Sequence, residues 1–126
     1  MKKILAIILG LLLMTAPGAK AAGTFDGIWT ITASGALLGF ASIHENNGTL
    51  LIALLDNSLE WEAVYGPITG NQAQLQTIVI SDVAVSFALT FTSQTRYTAT
   101  LTACQPISPD STCDPIGTTL TGERIF

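Results

Sequence analysis

Positive charge is almost missing from the body of this chain. Its three lysines lie at positions 2, 3 and 20, so residues 22–126 carry two arginines against nine Asp and Glu residues. A surface this acidic repels phosphate backbones and anionic lipid headgroups. The composition therefore argues against nucleic-acid binding and electrostatic membrane binding. It leaves a small neutral ligand or a basic protein as the expected partner.

Residues suited to catalysis or metal binding are equally scarce. His44 is the single histidine, and we expect it to be a solvated residue beside a turn. The chain has no Gly-x-Ser-x-Gly elbow and no phosphate-cradling glycine loop. Glu60 and Glu62 would share one strand face, which we expect to be the solvent face because Trp61 and Tyr65 would then turn into the core. We therefore expect no enzymatic activity, no metal site and no cofactor.

A long apolar run occurs only at the start. Residues 1–3 are basic at two positions, residues 4–14 are apolar apart from one glycine, and residues 19–21 read Ala-Lys-Ala. This is the pattern of a secretory signal peptide, and the run is shorter than the ~20 residues of a transmembrane helix. We predict that residues 1–21 are cleaved and that residues 22–126 form one domain. We expect that domain to be periplasmic or secreted and not membrane-spanning.

Cysteine occurs twice, at Cys104 and Cys113, on either side of a proline-containing segment. Two closely spaced cysteines in an exported chain indicate a disulfide. Closing so short a loop contributes about 2–3 kcal/mol in the chain-entropy model. We predict a structural disulfide and no free thiol.

Helix-favouring patterns are nearly absent after residue 22, and alternation typical of strands replaces them. One face of residues 83–91 carries Val83, Val85, Phe87, Leu89 and Phe91, with small and polar residues between them. Residues 96–103 repeat the pattern, with Tyr97, Ala99, Leu101 and Ala103 on the apolar face. Two such segments joined by a short polar turn indicate a half-buried antiparallel ribbon.

Turn-forming residues recur every 8–12 positions, and Asn47-Gly48 is a strong hairpin signal. They divide the chain into eight predicted strands near residues 27–33, 38–45, 49–55, 59–65, 72–80, 83–92, 96–103 and 117–125, with a bend or bulge between 66 and 71. The predicted fold is all-β: a small antiparallel eight-stranded up-and-down barrel with one disulfide, since closure removes unpaired edges. The third strand is apolar on both faces, so its outer face is either covered or an exposed patch.

A barrel of eight strands is just wide enough to be filled by side chains or to hold one small ligand. We expect its interior aromatic residues to contact an apolar ligand in the barrel or at its mouth. The candidate binding residues are Trp29, Trp61, Tyr65, Phe87, Phe91 and Tyr97.

The first predicted strand opens with Gly27-Ile28-Trp29, and Arg124 lies near the end of the chain. A Gly-x-Trp at the start of a small exported eight-stranded meander resembles the opening of lipocalin and avidin-type (calycin) barrels. The resemblance implies that Trp29 closes one end of the barrel and that Arg124 packs across its indole ring. It also implies a binding function for a small molecule.

A second resemblance involves residues 93–97, Ser-Gln-Thr-Arg-Tyr. Periplasmic lysozyme inhibitors are small disulfide-bearing β-barrels, and one group has a Ser-Gly-rich loop ending in Arg-Tyr. This chain has the serine and the Arg-Tyr but lacks the glycines. The alternative function is therefore a protein-interaction module, an enzyme inhibitor or an envelope accessory protein. It would act through residues 93–97 and the Cys104–Cys113 loop.

Overall fold

The computed structural model describes residues 23–78 and 82–126 as a closed antiparallel barrel in which each strand pairs with the next and β8 returns to β1. This confirms the predicted eight-stranded up-and-down barrel and its Cys104–Cys113 disulfide. The predicted signal peptide lies outside the described residues. No helix in the described ranges is long and apolar enough to cross a membrane. The strands are β1 (Gly27–Ala33), β2 (Ala36–Asn46), β3 (Thr49–Asp56), β4 (Trp61–Thr69), β5 (Gln72–Ile78), β6 (Val83–Ser93), β7 (Arg96–Pro106) and β8 (Thr119–Glu123).

The barrel has two unlike ends, here called the floor and the mouth. The floor is the end where β1 begins, with residues 23–26, the tight turns after β2, β4 and β6, and residues 124–126. The mouth is the end where β1 finishes, with the turn at 34–35, the loop at 57–60 and the cystine loop at 107–118. At the floor Asn47 and Gly48 both have positive φ, 52° and 75°. That backbone is what a two-residue type I′ hairpin requires, as predicted.

Side chains at alternate positions of each strand point into the barrel. In β6 and β7 the inward positions include Leu89, Phe91, Tyr97, Ala99 and Leu101, all buried as the alternation predicts. Beyond Leu101 the prediction is wrong, because the pairing register shifts by one residue near Thr102. A bulge of this kind turns the following side chains to the opposite face. Ala103 is consequently exposed, and Cys104 becomes partly buried.

The two faces of β4 are the reverse of the prediction. Trp61 and Tyr65 lie outside the barrel with 61% and 39% of their surface exposed, while Val64 and Ile68 are buried. The strand also runs through Gly66 without a bend and keeps one register with β5 to Thr69. Gly66 explains the orientation, because a Cβ there would come within 1.7 Å of the Gln74 carbonyl oxygen. Only glycine fits that close approach, and a one-residue slip would reverse the whole strand.

The outer face of β3 is exposed. Leu51 keeps 42% of its surface accessible, and Leu55 lies between Phe40 of β2 and Trp61 of β4 in the strand register. Phe40 is 43% exposed. Within the described residues the barrel leaves this outer face as a partly exposed apolar patch.

Candidate ligand site

A cavity of about 170 Å³ occupies the half of the barrel nearest the mouth. Its walls are apolar side chains from the inner faces of most of the strands, with two carboxylates at the rim. The lining residues are Ile31, Leu38, Ile52, Leu54, Asp56, Glu62, Val64, Leu75, Phe87, Leu89, Tyr97, Ala99 and Leu120. Such a space can hold a small apolar group, and a polar group attached to it would lie near the rim.

The cavity ends where an aromatic cluster fills the floor half of the barrel. Phe25, just before β1, stacks on Phe91 with the ring centroids 3.7 Å apart and the planes parallel to within 2°. Trp29 packs against Phe91 at 5.4 Å and against Tyr97 at 5.7 Å. Trp29 is completely buried, and its indole N–H donates to the Phe25 carbonyl at 3.1 Å. The floor is therefore a solid plug.

The guanidinium of Arg124 packs across Trp29 of this aromatic cluster, as the lipocalin-type resemblance implied. Its Cζ lies 6.0 Å from the Trp29 ring centroid, within the range of a cation–π contact. The same group donates hydrogen bonds to the carbonyls of Thr24, Asp26 and Phe126. Arg124 thereby joins the segment before β1 to the segment after β8.

The six predicted binding residues fall into three groups. Phe87 and Tyr97 line the cavity. Trp29 and Phe91 belong to the floor cluster below it. The placement of Trp61 and Tyr65 in the interior is wrong, because β4 turns both rings outward. The Tyr65 hydroxyl instead accepts a hydrogen bond from the Gln76 side-chain amide at 3.1 Å.

The predicted solvent-facing position of Glu62 is wrong, and this is the error with the largest consequence for the site. It shares the inner face of β4 with Val64, is partly buried and lines the cavity near the mouth. Glu60 is exposed, as predicted. In the structure Val64, Gly66 and Ile68 point inward, and the two-residue period of the strand places Glu62 on the same face.

Asp56 is the second carboxylate of the rim, and the backbone holds it in place. Its Oδ1 accepts hydrogen bonds from the N–H groups of Ser58 at 2.8 Å and Glu60 at 3.0 Å. Those bonds, the one from Glu60 foremost, lower the pKa of the carboxyl below its ordinary value of 3.8. Asp56 is therefore ionised at neutral pH and shapes the loop between β3 and β4.

A smaller cavity of about 90 Å³ lies beside the disulfide. Phe87 and Leu120 contribute to both cavities, and Cys104 lines only the smaller one. The cystine loop thus forms one side of the mouth without walling the main cavity.

The floor carries a hydrogen-bonded His–Asp pair that the sequence did not suggest. His44 Nδ1 lies 3.0 Å from Asp26 Oδ2, although the His44 side chain is 63% exposed. Burial opposes ionisation of Asp26, but hydrogen bonds from the backbone N–H groups of Glu45 and Gly23 and from His44 outweigh it and lower the pKa. Within residues 23–78 and 82–126, no three His, Cys, Asp or Glu side chains come together as a metal-binding group.

The two segments assigned to the alternative function lie at opposite ends of the barrel. Residues 93–97 are at the floor and the cystine loop is at the mouth, so they do not form one surface. Tyr97 is 6% exposed, and its hydroxyl donates to the Thr30 carbonyl at 3.2 Å. Arg96 forms an ion pair with Glu123 at 3.1 Å. The Arg-Tyr pair therefore does not project as a joint unit.

Comparison with protein-family models, with curated proteins and with solved structures finds no match. The closed eight-stranded antiparallel barrel is compatible with a calycin-like fold.

Proposed function

We propose that this chain is an exported, non-enzymatic binding protein that holds a small apolar ligand in the mouth cavity. The observation that carries the proposal is an apolar space of about 170 Å³ that is closed at one side by the floor cluster. The compartment, periplasmic or extracellular, is proposed from the signal-like sequence of residues 1–21 together with the disulfide.

The volume limits the ligand to a small body. An apolar cavity of about 150 Å³ stays dry and accommodates benzene. A cavity of about 170 Å³ therefore suits a single ring or a short alkyl chain. Larger apolar ligands would have to project through the mouth.

The first test is native mass spectrometry of the protein purified from the envelope fraction of its own host. We expect a reproducible small mass adduct that disappears after denaturing extraction. A clean apo mass, combined with no binding of toluene by NMR titration, would overturn the proposal.

A cavity-filling variant assigns any binding to this site. Ala99 lines the cavity, so Ala99→Leu should occupy part of the space and abolish toluene binding without unfolding the barrel. Ala88→Leu is the matched control, because Ala88 lies on the outward face of β6 between the inward Phe87 and Leu89. Equal toluene binding by both variants would show that the probe binds elsewhere.

A protein-interaction role is the second candidate, and the exposed strand face supports it better than the loops do. Phe40, Leu55 and Trp61 lie side by side across β2, β3 and β4, with Trp61 61% exposed. Chemical cross-linking in the host envelope tests this role. A partner that is lost on Trp61→Ser, but retained when the cystine loop is shortened, would support it.

A further inference from the structure

The ionisable residues divide unevenly between the two ends of the barrel. Both arginines of the described ranges and the single histidine lie at the floor with three of the nine acidic residues. The other six acidic residues surround the mouth, and no Lys or Arg of the described ranges is among them. They are Asp56, Glu60, Glu62, Asp82, Asp110 and Asp114.

Two of these six acidic residues belong to the cavity lining itself. Glu62 stands on the inner face of β4, opposite Leu54 of β3 in the strand register. Asp56 stands at the end of β3, where two backbone N–H groups bind its Oδ1. The cavity is the binding site, and these carboxylates determine which ligand charge is favoured at the rim of the cavity.

An apolar cavity with carboxylates at its entrance discriminates between ligands of the same shape. A neutral apolar ligand would reduce the hydration of Glu62 and offer no compensating charge. An anion would be repelled by Glu62, by Asp56 and by the acidic mouth as a whole. A cation attached to an apolar body would keep its body among the apolar walls and place its charge at the carboxylates.

We propose that the mouth cavity selects a small amphipathic cation, an alkyl- or arylammonium with a single ring or short chain whose ammonium group lies against Glu62 and Asp56. The inference rests on the proposed function, since it assumes that the cavity holds a ligand. The acidic mouth adds long-range attraction that raises the association rate and weakens with salt.

The test compares benzylammonium, benzyl alcohol and benzoate, which share one ring and differ in charge. Calorimetric titration of the oxidised, folded domain should show benzylammonium binding on the order of tenfold more tightly than benzyl alcohol, with benzoate weakest. Glu62→Gln should remove most of that preference and leave benzyl alcohol affinity within about twofold. Glu60→Gln is the control, because it removes the same charge from an exposed position outside the cavity lining.

The possible outcomes separate this inference from the proposed function. If benzyl alcohol and toluene bind but benzylammonium has no advantage, the cavity binds ligands and the charge selection is wrong. If Glu60→Gln and Glu62→Gln reduce the preference equally, the acidic surface acts as a whole and direct contact with Glu62 is overturned. If benzylammonium binding survives Ala99→Leu, the cation binds outside the cavity and the charge selection is wrong, whereas the proposed function still depends on toluene. If none of the probes binds, the cavity is not a ligand site and both proposals fail.

Discussion

The guanidinium of Arg124 lies over the indole ring of Trp29, with its Cζ 6.0 Å from the ring centroid. Trp29 is the most completely buried aromatic residue of the barrel, and Arg124 also caps three carbonyl groups around it. One side chain thus connects the two ends of the described domain at the floor.

Replacing this arginine should destabilise the barrel strongly. Arg124→Leu removes the cation–π contact and three hydrogen bonds to backbone carbonyls, so we expect a loss of about 2–4 kcal/mol in the free energy of unfolding. Urea denaturation measures it. The control is Arg96→Leu, whose exposed ion pair with Glu123 should contribute less than about 1 kcal/mol. Equal losses in the two variants would contradict a structural role for the Arg124–Trp29 contact.

Gly122 allows β8 to close the barrel. A Cβ at this position would lie 2.1 Å from Tyr97 Cε1 and 2.3 Å from the Thr30 carbonyl oxygen. Gly122→Ala should therefore lower the free energy of unfolding by about 1–3 kcal/mol through overpacking. Thr121→Ala, at the exposed neighbouring position, is the control. Thermal unfolding of both variants compares them, and an unchanged midpoint for Gly122→Ala would show that β8 moves freely enough to absorb the methyl group.

The disulfide should stabilise the domain without taking part in binding. The loop between Cys104 and Cys113 spans a sequence separation of 9, and neither cysteine lines the main cavity. The double variant Cys104→Ala/Cys113→Ala should lose about 2–3 kcal/mol of stability in urea. Its affinity for toluene should stay within about twofold of the parent when both are folded. A large loss of affinity would place the cystine loop in the binding site.

Much of this architecture can be read from local patterns. The bounds of β1, the Asn47-Gly48 turn and the disulfide follow from residue types that have few structural alternatives. The alternation in residues 83–91 is also sufficient to predict which side chains of β6 point inward, because only one of its two faces is strongly apolar. Where a pattern excludes its alternatives, local chemistry and the overall fold agree.

The orientation of β4 could not be obtained in this way. Trp61 and Tyr65 on one face compete with Val64 and Ile68 on the other, so hydrophobicity does not choose between them. The choice comes from the close contact of Gly66 with the β5 backbone. Because the two faces of β4 were exchanged in the prediction, Glu62 was expected in the solvent, whereas the structure places it in the cavity lining. The cavity could not be predicted from the sequence either, because its existence depends on side-chain volumes and not on the periodicity of apolar residues.

Tyr97 should limit the stability of the barrel at high pH. Its ring packs against Trp29, its side chain lines the cavity, and burial raises its pKa from 10.0 to about 12. Because the folded protein disfavours the phenolate, this contribution to stability is complete below pH 10.0, the ordinary value. Between pH 10.0 and about 12 the unfolded chain loses the proton while the folded chain keeps it. The free energy of unfolding therefore falls by about 2–3 kcal/mol across that interval.

Tyr97→Phe isolates this effect. The variant loses the hydrogen bond to the Thr30 carbonyl, so at neutral pH it should be about 1 kcal/mol less stable than the parent. It has no phenol to ionise, and above pH 10.0 its stability should decline less steeply than that of the parent. Urea denaturation at a series of pH values gives both slopes. Parallel curves for the two proteins would mean that Tyr97 ionises as readily in the folded state as in the unfolded one, and that the ring is not held in an apolar environment.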